Sequence, residues 1–395
     1  MSIDLLHAAF AGEIDTIKRL ISQDLDLNFI HKSNTALMAA VLNGHEDTVN
    51  KLLEHGADVN ALVRNNRLVN GNTGRTALMQ AAYAKRANIF NILLKHGANT
   101  NVSDVNGDNI LMVTARKPAF NYSVAEVEAI ISMLLHQGLD INARNDAHET
   151  ALMIACRENN LCVANILIAH HADIDAKDRY GMTALMHAID AGNRELTIRL
   201  LKNGAAIDAV NHAQETALMK AAMNENIGMI DLLNNYGANL FARDKYGNTA
   251  LIRSSATYGK KDVVKSLLRT TIEPHERNIS DIFVRKIKRY VNVANNQGQT
   301  ALMRAAFSGD AEIIDLLIKC RADVHMLDNE GMNALQHARI GSQWSPYSGR
   351  AQHKSVIATL ETFMNTDLKN DPSLFEPIEN KTQDNDKELK KFKKT

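Results

Sequence analysis

The chain has 395 residues, 45% hydrophobic, 23% charged and 5% aromatic, a balance that sustains a folded core and excludes disorder throughout. Lys plus Arg number 45 and Asp plus Glu number 45, so the zero formal charge excludes a uniformly basic nucleic-acid or membrane binder and leaves only local charge to be read. Three cysteines, Cys156, Cys162 and Cys320, without C-x-x-C spacing, exclude a disulfide framework or zinc ribbon and point to a reducing compartment.

The opening residues lack a basic stretch followed by an apolar core, so no secretory signal is expected. No apolar run approaches the ~20 residues of a membrane span. What dominates instead is repetition. Units begin at residues 4, 35, 76, 109, 150, 183, 216, 249, 300 and 333. Thr-Ala-Leu-Met opens them at Thr35, Thr76, Thr150, Thr183, Thr216 and Thr300, and Thr-Ala-Leu-Ile at Thr249. Degenerate copies open at Asp4, Asn109 and Asn333. The commonest step is 33 residues, and the longer steps of 41 and 51 mark insertions into one fixed period.

Within a unit, the threonine is expected to cap a first helix, and Leu37, Ala39 and Ala40 to let neighbouring helices approach closely. Val49, Leu52 and Leu53 then give a second helix its apolar stripe, Gly56 ends it, and a polar turn leads to the next threonine. The ending Leu52 to Asn60 is echoed at 93–101, 134–142 and 200–208, and more weakly from Leu232 and Leu316. The turns often carry their own glycine, as at Gly107, Gly181, Gly247, Gly298 and Gly331.

The run Asp178-Arg179-Tyr180-Gly181-Met182-Thr183-Ala184-Leu185-Met186 resembles the D-x-x-G-x-T-P-L-H pattern of the ankyrin repeat family, which has the same period. Ala replaces the family's Pro and Met its His, as at Ala77 and Met79; Ala keeps helix propensity and Met fills apolar space. The resemblance covers roughly residues 1–366. It implies an all-α solenoid of paired antiparallel helices with short β-hairpin-like fingers, used to bind proteins on its concave face. The Thr-Ala-Leu-Met variety is similar to bacterial ankyrin proteins, including some secreted into host cells. That likeness sets the expectation of a cytoplasmic protein or a bacterial effector acting in host cytoplasm.

Four insertions depart from the period: residues 61–75, 116–124, 269–291 and 339–354. They carry fourteen basic and three acidic residues, so the repeat body is correspondingly acidic. The five prolines, Pro118, Pro274, Pro346, Pro372 and Pro377, fall in insertions or in the tail, where they interrupt no helix. In the third insertion Ile279, Ile282, Phe283, Ile287 and Tyr290 recur at helical spacing, with Arg285, Lys288 and Arg289 opposite, predicting a basic amphipathic helix. That helix either packs with its charges solvated, or contacts an acidic protein, an anionic membrane or nucleic acid. The fourth insertion holds the sole tryptophan, Trp344, beside Pro346 and Tyr347; it either caps the stack or serves as a contact residue.

The position after the Leu-Met step reads His187, Lys220, Arg253 and Arg304 in the later units. These cations either pair with acids such as Asp190 and Glu225 or line a groove for an acidic or phosphorylated protein partner. Met223, Phe307, Tyr180 and Tyr246 are the candidate apolar anchors. His55, His96 and His170 share one helix-end position, where histidine suits the dipole, so no metal is expected. Cys156 is expected buried and Cys320 exposed, neither with a catalytic partner. The methionines at 38, 79, 112, 153, 186, 219 and 303 read as core. No phosphate loop, H-E-x-x-H, G-x-S-x-G or kinase signature occurs, so neither enzyme activity nor a cofactor is expected. Residues 367–395, with a Lys-rich end, read as a disordered charged tail.

Overall fold

A computed structural model describes residues 2–23, 25–31, 34–62, 74–117, 122–269, 281–344 and 350–365. The prolines, most of the first insertion, Ile279, Tyr347 and the charged tail lie outside them. So do the side chains of residues 281–284.

The described residues form helices and no strand. They fall into two compact units, Met1–Lys245 and Tyr246–Thr395. In the first, seven repeats each give a helix pair: α1 (Ser2–Ala11) with α2 (Ile14–Ile21), α3 (Ala36–Asn43) with α4 (Glu46–Glu54), α5 (Ala77–Tyr83) with α6 (Ala87–Lys95), α7 (Ile110–Ala115) with α8 (Val124–His136), α9 (Ala151–Arg157) with α10 (Leu161–Ala169), α11 (Ala184–Asp190) with α12 (Arg194–Lys202), and α13 (Ala217–Met223) with α14 (Ile227–Asn235). In the second, α15 (Ala250–Ser255) pairs with α16 (Lys261–Arg269), then comes the extra helix α17 (Asp281–Val291), then α18 (Ala301–Ser308) with α19 (Ala311–Lys319) and α20 (Ala334–Trp344) with α21 (Arg350–Asn365).

Each first helix begins where its threonine dictates. Thr35 Oγ1 accepts from Met38 N at 3.2 Å, and Thr76, Thr150, Thr183, Thr216, Thr249 and Thr300 repeat the bond three residues on. Asn109 does the same with its side-chain oxygen in the degenerate fourth unit. Such a cap satisfies a helix-end N–H that would otherwise be buried bare, contributing about 1 kcal/mol each. The residues after the cap disappear into the core: Ala36, Leu37, Met38, Ala39 and Ala40 are all buried. The methionine stripe at 38, 79, 112, 153, 186, 219 and 303 is core throughout.

Within each unit, first helices touch first helices and second helices touch second helices, as in α3 to α5 and α4 to α6, or α18 to α20 and α19 to α21. Small residues on the first-helix face permit that approach. A second helix buries only its stripe, as Val49, Leu52 and Leu53 do in α4.

The fingers are reduced hairpins, closed by single bridges such as Ser103 to Asn109 and Ala294 to Thr300. Their rigidity comes from one buried Asp or Asn. Asp178 Oδ1 accepts from both Tyr180 N and Met182 N at 2.8 Å. Asn145, Asn211, Asn295 and Asp328 repeat this double bond in their own fingers. The turn also needs a left-handed residue: at Gly181 (φ 77°) an added Cβ would meet His212 N at 2.8 Å, so only glycine fits there without displacement.

Two expectations are corrected. Cys320 is only 4% exposed, and the carbonyl of the next residue, Arg321, accepts from Asn292 Nδ2 at 3.2 Å. Burial pushes the Cys320 thiol up to about 11, which makes it a poor nucleophile. Trp344 does not fold back as a cap: it is the last residue of α20 and 80% exposed. Since it is the sole tryptophan, native protein is expected to emit at the long-wavelength, water-exposed limit, with full iodide quenching and little shift on unfolding. A blue-shifted, shielded emission would contradict this placement.

Candidate interaction surface

The anchors singled out by sequence stand at repeated places. Tyr180 and Tyr246 each lie three residues before their cap threonine, at finger tips, and are 66% and 62% exposed. Met223 and Phe307 lie seven residues after theirs, at first-helix ends, and are 40% and 42% exposed. In each unit, therefore, a finger tip and a helix end present large apolar side chains to solvent although the Ala, Leu and Met residues of the same first helices up to the second alanine are core. The finger holds Tyr180 firmly, since its own N–H donates to Asp178 and its carbonyl accepts from His212 N at 2.9 Å.

The cations of the same series are differently disposed. His187 Nε2 lies 3.1 Å from Asp178 Oδ2, completing the finger of its own repeat. Burial pushes the Asp178 carboxyl up, but bonds from His187, Met182 N and Tyr180 N outweigh it and hold the group below its ordinary range. His337 and Asp328 repeat the arrangement at 2.8 Å. Where the finger residue is Asn145 or Asn211, its Nδ2 donates instead to a carboxylate four residues on, Glu149 at 3.2 Å and Glu215 at 2.9 Å, whereas Asn295 donates to Asn248 at 3.0 Å. The cation is then released: Lys220 reaches back to Asp190 at 3.0 Å. Arg304 Nη1 donates to Gln299 Oε1 at 3.3 Å, and burial lowers its pKa. Arg253 is half-buried and makes interactions of its own. Asp190 is thus a partner of Lys220, as one sequence alternative held.

Of the helix-end histidines, His55 and His96 turn Nδ1 to the carbonyls of Lys51 and Ile92, at 2.9 and 3.0 Å. His170 faces Glu128 at 3.1 Å. These are bonds that hold helix ends. Cys156 is fully buried, and burial pushes its thiol up.

Sequence reasoning passed over a polar cluster in the first unit. Lys85 occupies the left-handed position (φ 58°) after its first helix, where Gly44 and Gly192 stand in other repeats. Its ammonium is fully buried, donating to Thr114 O at 2.5 Å and Arg116 O at 3.1 Å, with the rings of Tyr83 and Tyr122 each 5.9 Å away. These carbonyls end α7, whose C-cap residue Arg116 is extended, unlike the left-handed glycine caps of α3 and α18. Asn160 Nδ2 donates to Ala115 O at 3.1 Å from the other side, and Tyr122 OH donates to Asn160 Oδ1 at 2.9 Å. Arg116 turns to the buried Asp108 and to Glu158. Two described residues of the insertion, Arg116 and Tyr122, are therefore bonded to Lys85, Glu158 and Asn160 of the neighbouring repeats. A lysine at a glycine position was the one sequence signal of it.

Comparison with known proteins agrees with this architecture. The family description "Ankyrin repeats (3 copies)" matches residues 4–63, 120–211, 194–278 and 279–343, and "Ankyrin repeats (many copies)" matches residues 62–113. A stretch of 51 residues is 39% identical to the Notch-regulated ankyrin repeat-containing protein A of Danio rerio, covering 13% of this chain and 46% of that relative. The chain thus spans under half the length of the curated relative it matches.

Proposed function

Because the chain belongs to the ankyrin-repeat family, whose members are in general non-catalytic modules for binding proteins, we propose that it acts as a scaffold that holds an acidic or phosphorylated protein against its fingers and first helices. The observation that carries this reading is the exposure of large apolar side chains at repeated positions: Tyr180 and Met223 in the first unit, Tyr246 and Phe307 in the second. Solvent-facing aromatics and methionine on rigid elements are the composition of interface hot spots. His187 and Lys220 flank the first set, Arg253 and Arg304 the second. Because His187 and Lys220 already share charge with Asp178 and Asp190, the apolar anchors supply most of the affinity and the cations its selectivity for acidic partners.

The same reading makes the protein cytoplasmic, and its repeat variety suggests a bacterial effector working in host cytoplasm. Affinity capture with mass spectrometry tests the whole proposal. Wild type is compared with Tyr180→Ser, Met223→Ser, Tyr246→Ser, Phe307→Ser and with Lys220→Glu, Arg253→Glu, Arg304→Glu. A partner held by wild type and lost from the apolar variant is the expected result, with a lesser loss from the charge variant. Equal retention by all three would remove these surfaces as the contact.

A further inference from the structure

We infer that the exposed face of α17 docks an acidic segment of a partner protein, its carboxylates set against Arg285, Lys286 and Lys288. This deepens the reading just given and rests on it. The helix is an addition between α16 and the finger before α18.

Its orientation is fixed. Tyr290 and Val291 are buried and Ile287 half-buried, and the Tyr290 hydroxyl approaches the Leu251 backbone. Just past the helix, Asn292 Nδ2 donates to Lys288 O at 2.8 Å and to Arg321 O at 3.2 Å, while its Oδ1 accepts from Asp323 N at 2.8 Å. At 3.6 residues per turn, positions 285, 286, 288 and 289 fall on the arc opposite the buried side. All four are basic and exposed.

No described acid pairs with Arg285, Lys286 or Lys288, and the acids of nearby α19 are engaged elsewhere: Glu312 with Lys261 at 2.9 Å, Asp315 with Lys319 at 3.0 Å. Lys220 and His187, by contrast, face Asp190 and Asp178. Arg285, Lys286 and Lys288 therefore offer an acidic partner positive charge that no described acid of the second unit pairs with.

The choice of occupant follows from the other side of the helix. Its described apolar residues, Ile287, Tyr290 and Val291, are half-buried or buried, so they are not available to insert between lipids as those of an amphipathic membrane helix are. The basic arc carries no aromatic residue on which bases could stack. Arg285, Lys286 and Lys288 span about 4.5 Å along the axis at 1.5 Å per residue. That is the separation of carboxylates at i and i+3 on an acidic helix.

The test uses the full chain and a fluorescein-labelled twelve-residue Glu-rich peptide, followed by anisotropy at low and high salt. Binding that weakens with salt is expected, and at least about tenfold weaker binding by Arg285→Glu, Lys286→Glu, Lys288→Glu, with the corresponding Gln variant between them. Absence of binding, or equal binding by the reversed variant, would overturn the inference. So would tighter binding to phosphatidylserine vesicles or to oligouridine RNA that is lost in that same variant. The fate of the proposed function is read separately. If capture depends on the four apolar anchors while the peptide ignores α17, only the present inference fails; if capture survives loss of those anchors, the earlier reading fails whatever the peptide does.

Discussion

Replacing Lys85 with methionine is expected to destabilise the first unit by about 2 kcal/mol at pH 9, and by less at pH 7. The methionine keeps the methylene packing but leaves the carbonyls of Thr114 and Arg116 without their donor, and a buried acceptor stripped of its partner costs roughly 1–3 kcal/mol. The pH dependence follows from the same burial. Desolvation, reinforced by the charge of Arg75, pushes the Lys85 ammonium from its ordinary 10.5 down to about 7. Between those values the unfolded chain binds a proton that the folded chain does not, so wild-type stability rises with pH across that window. The gain approaches about 1.4 kcal/mol per pH unit where the two states differ by a whole proton. The methionine variant lacks this contribution, so the difference between the two should widen by about 2 kcal/mol from pH 7 to pH 9. Urea unfolding of both proteins at the two pH values measures it; curves that shift in parallel would show that Lys85 is not the buried donor described.

Asp178→Ala should cost about 3 kcal/mol, since it removes at once the acceptor for Tyr180 N, for Met182 N and for the His187 ring. Asp178→Asn should cost only about 1 kcal/mol, because Asn keeps the Oδ1 acceptor, as Asn145 and Asn211 do in their own fingers. The carboxylate also contributes acid sensitivity. Held below its ordinary value of 3.8 in the folded protein, it stabilises at pH values above 3.8 and loses that contribution as the pH falls through its folded value. Guanidine unfolding of the two variants at neutral pH decides the matter: an Asn variant as unstable as the Ala variant would mean that the finger is not held through Oδ1.

Much of the fold was legible because a repeated threonine cap and a repeated apolar triplet are local signals, each read within one helical turn. The candidate anchors were legible for the same reason, as large apolar residues at positions that the repeat leaves outside its core. What the sequence hid were contacts made between repeats. Lys85 reads as an ordinary surface lysine until the neighbouring helix end that lacks a glycine is brought beside it. Cys320 reads as exposed by analogy with His55 and His96, yet the extra helix α17 alters its surroundings. Whether Lys220 is a free cation or the partner of Asp190 depends on a side-chain path between adjacent repeats, which periodicity does not encode. Trp344 misled in the other direction, because the helix before it continues further than the repeat predicts and carries it into solvent.

In the function proposed above, Tyr180, Met223, Tyr246 and Phe307 are the side chains that hold a protein partner. The most direct measurement is the capture experiment with the four-serine variant beside wild type, both first shown by circular dichroism to be equally folded. The expected result is a partner recovered with wild type and absent from the variant. Recovery of that same partner in equal amount with both would contradict it.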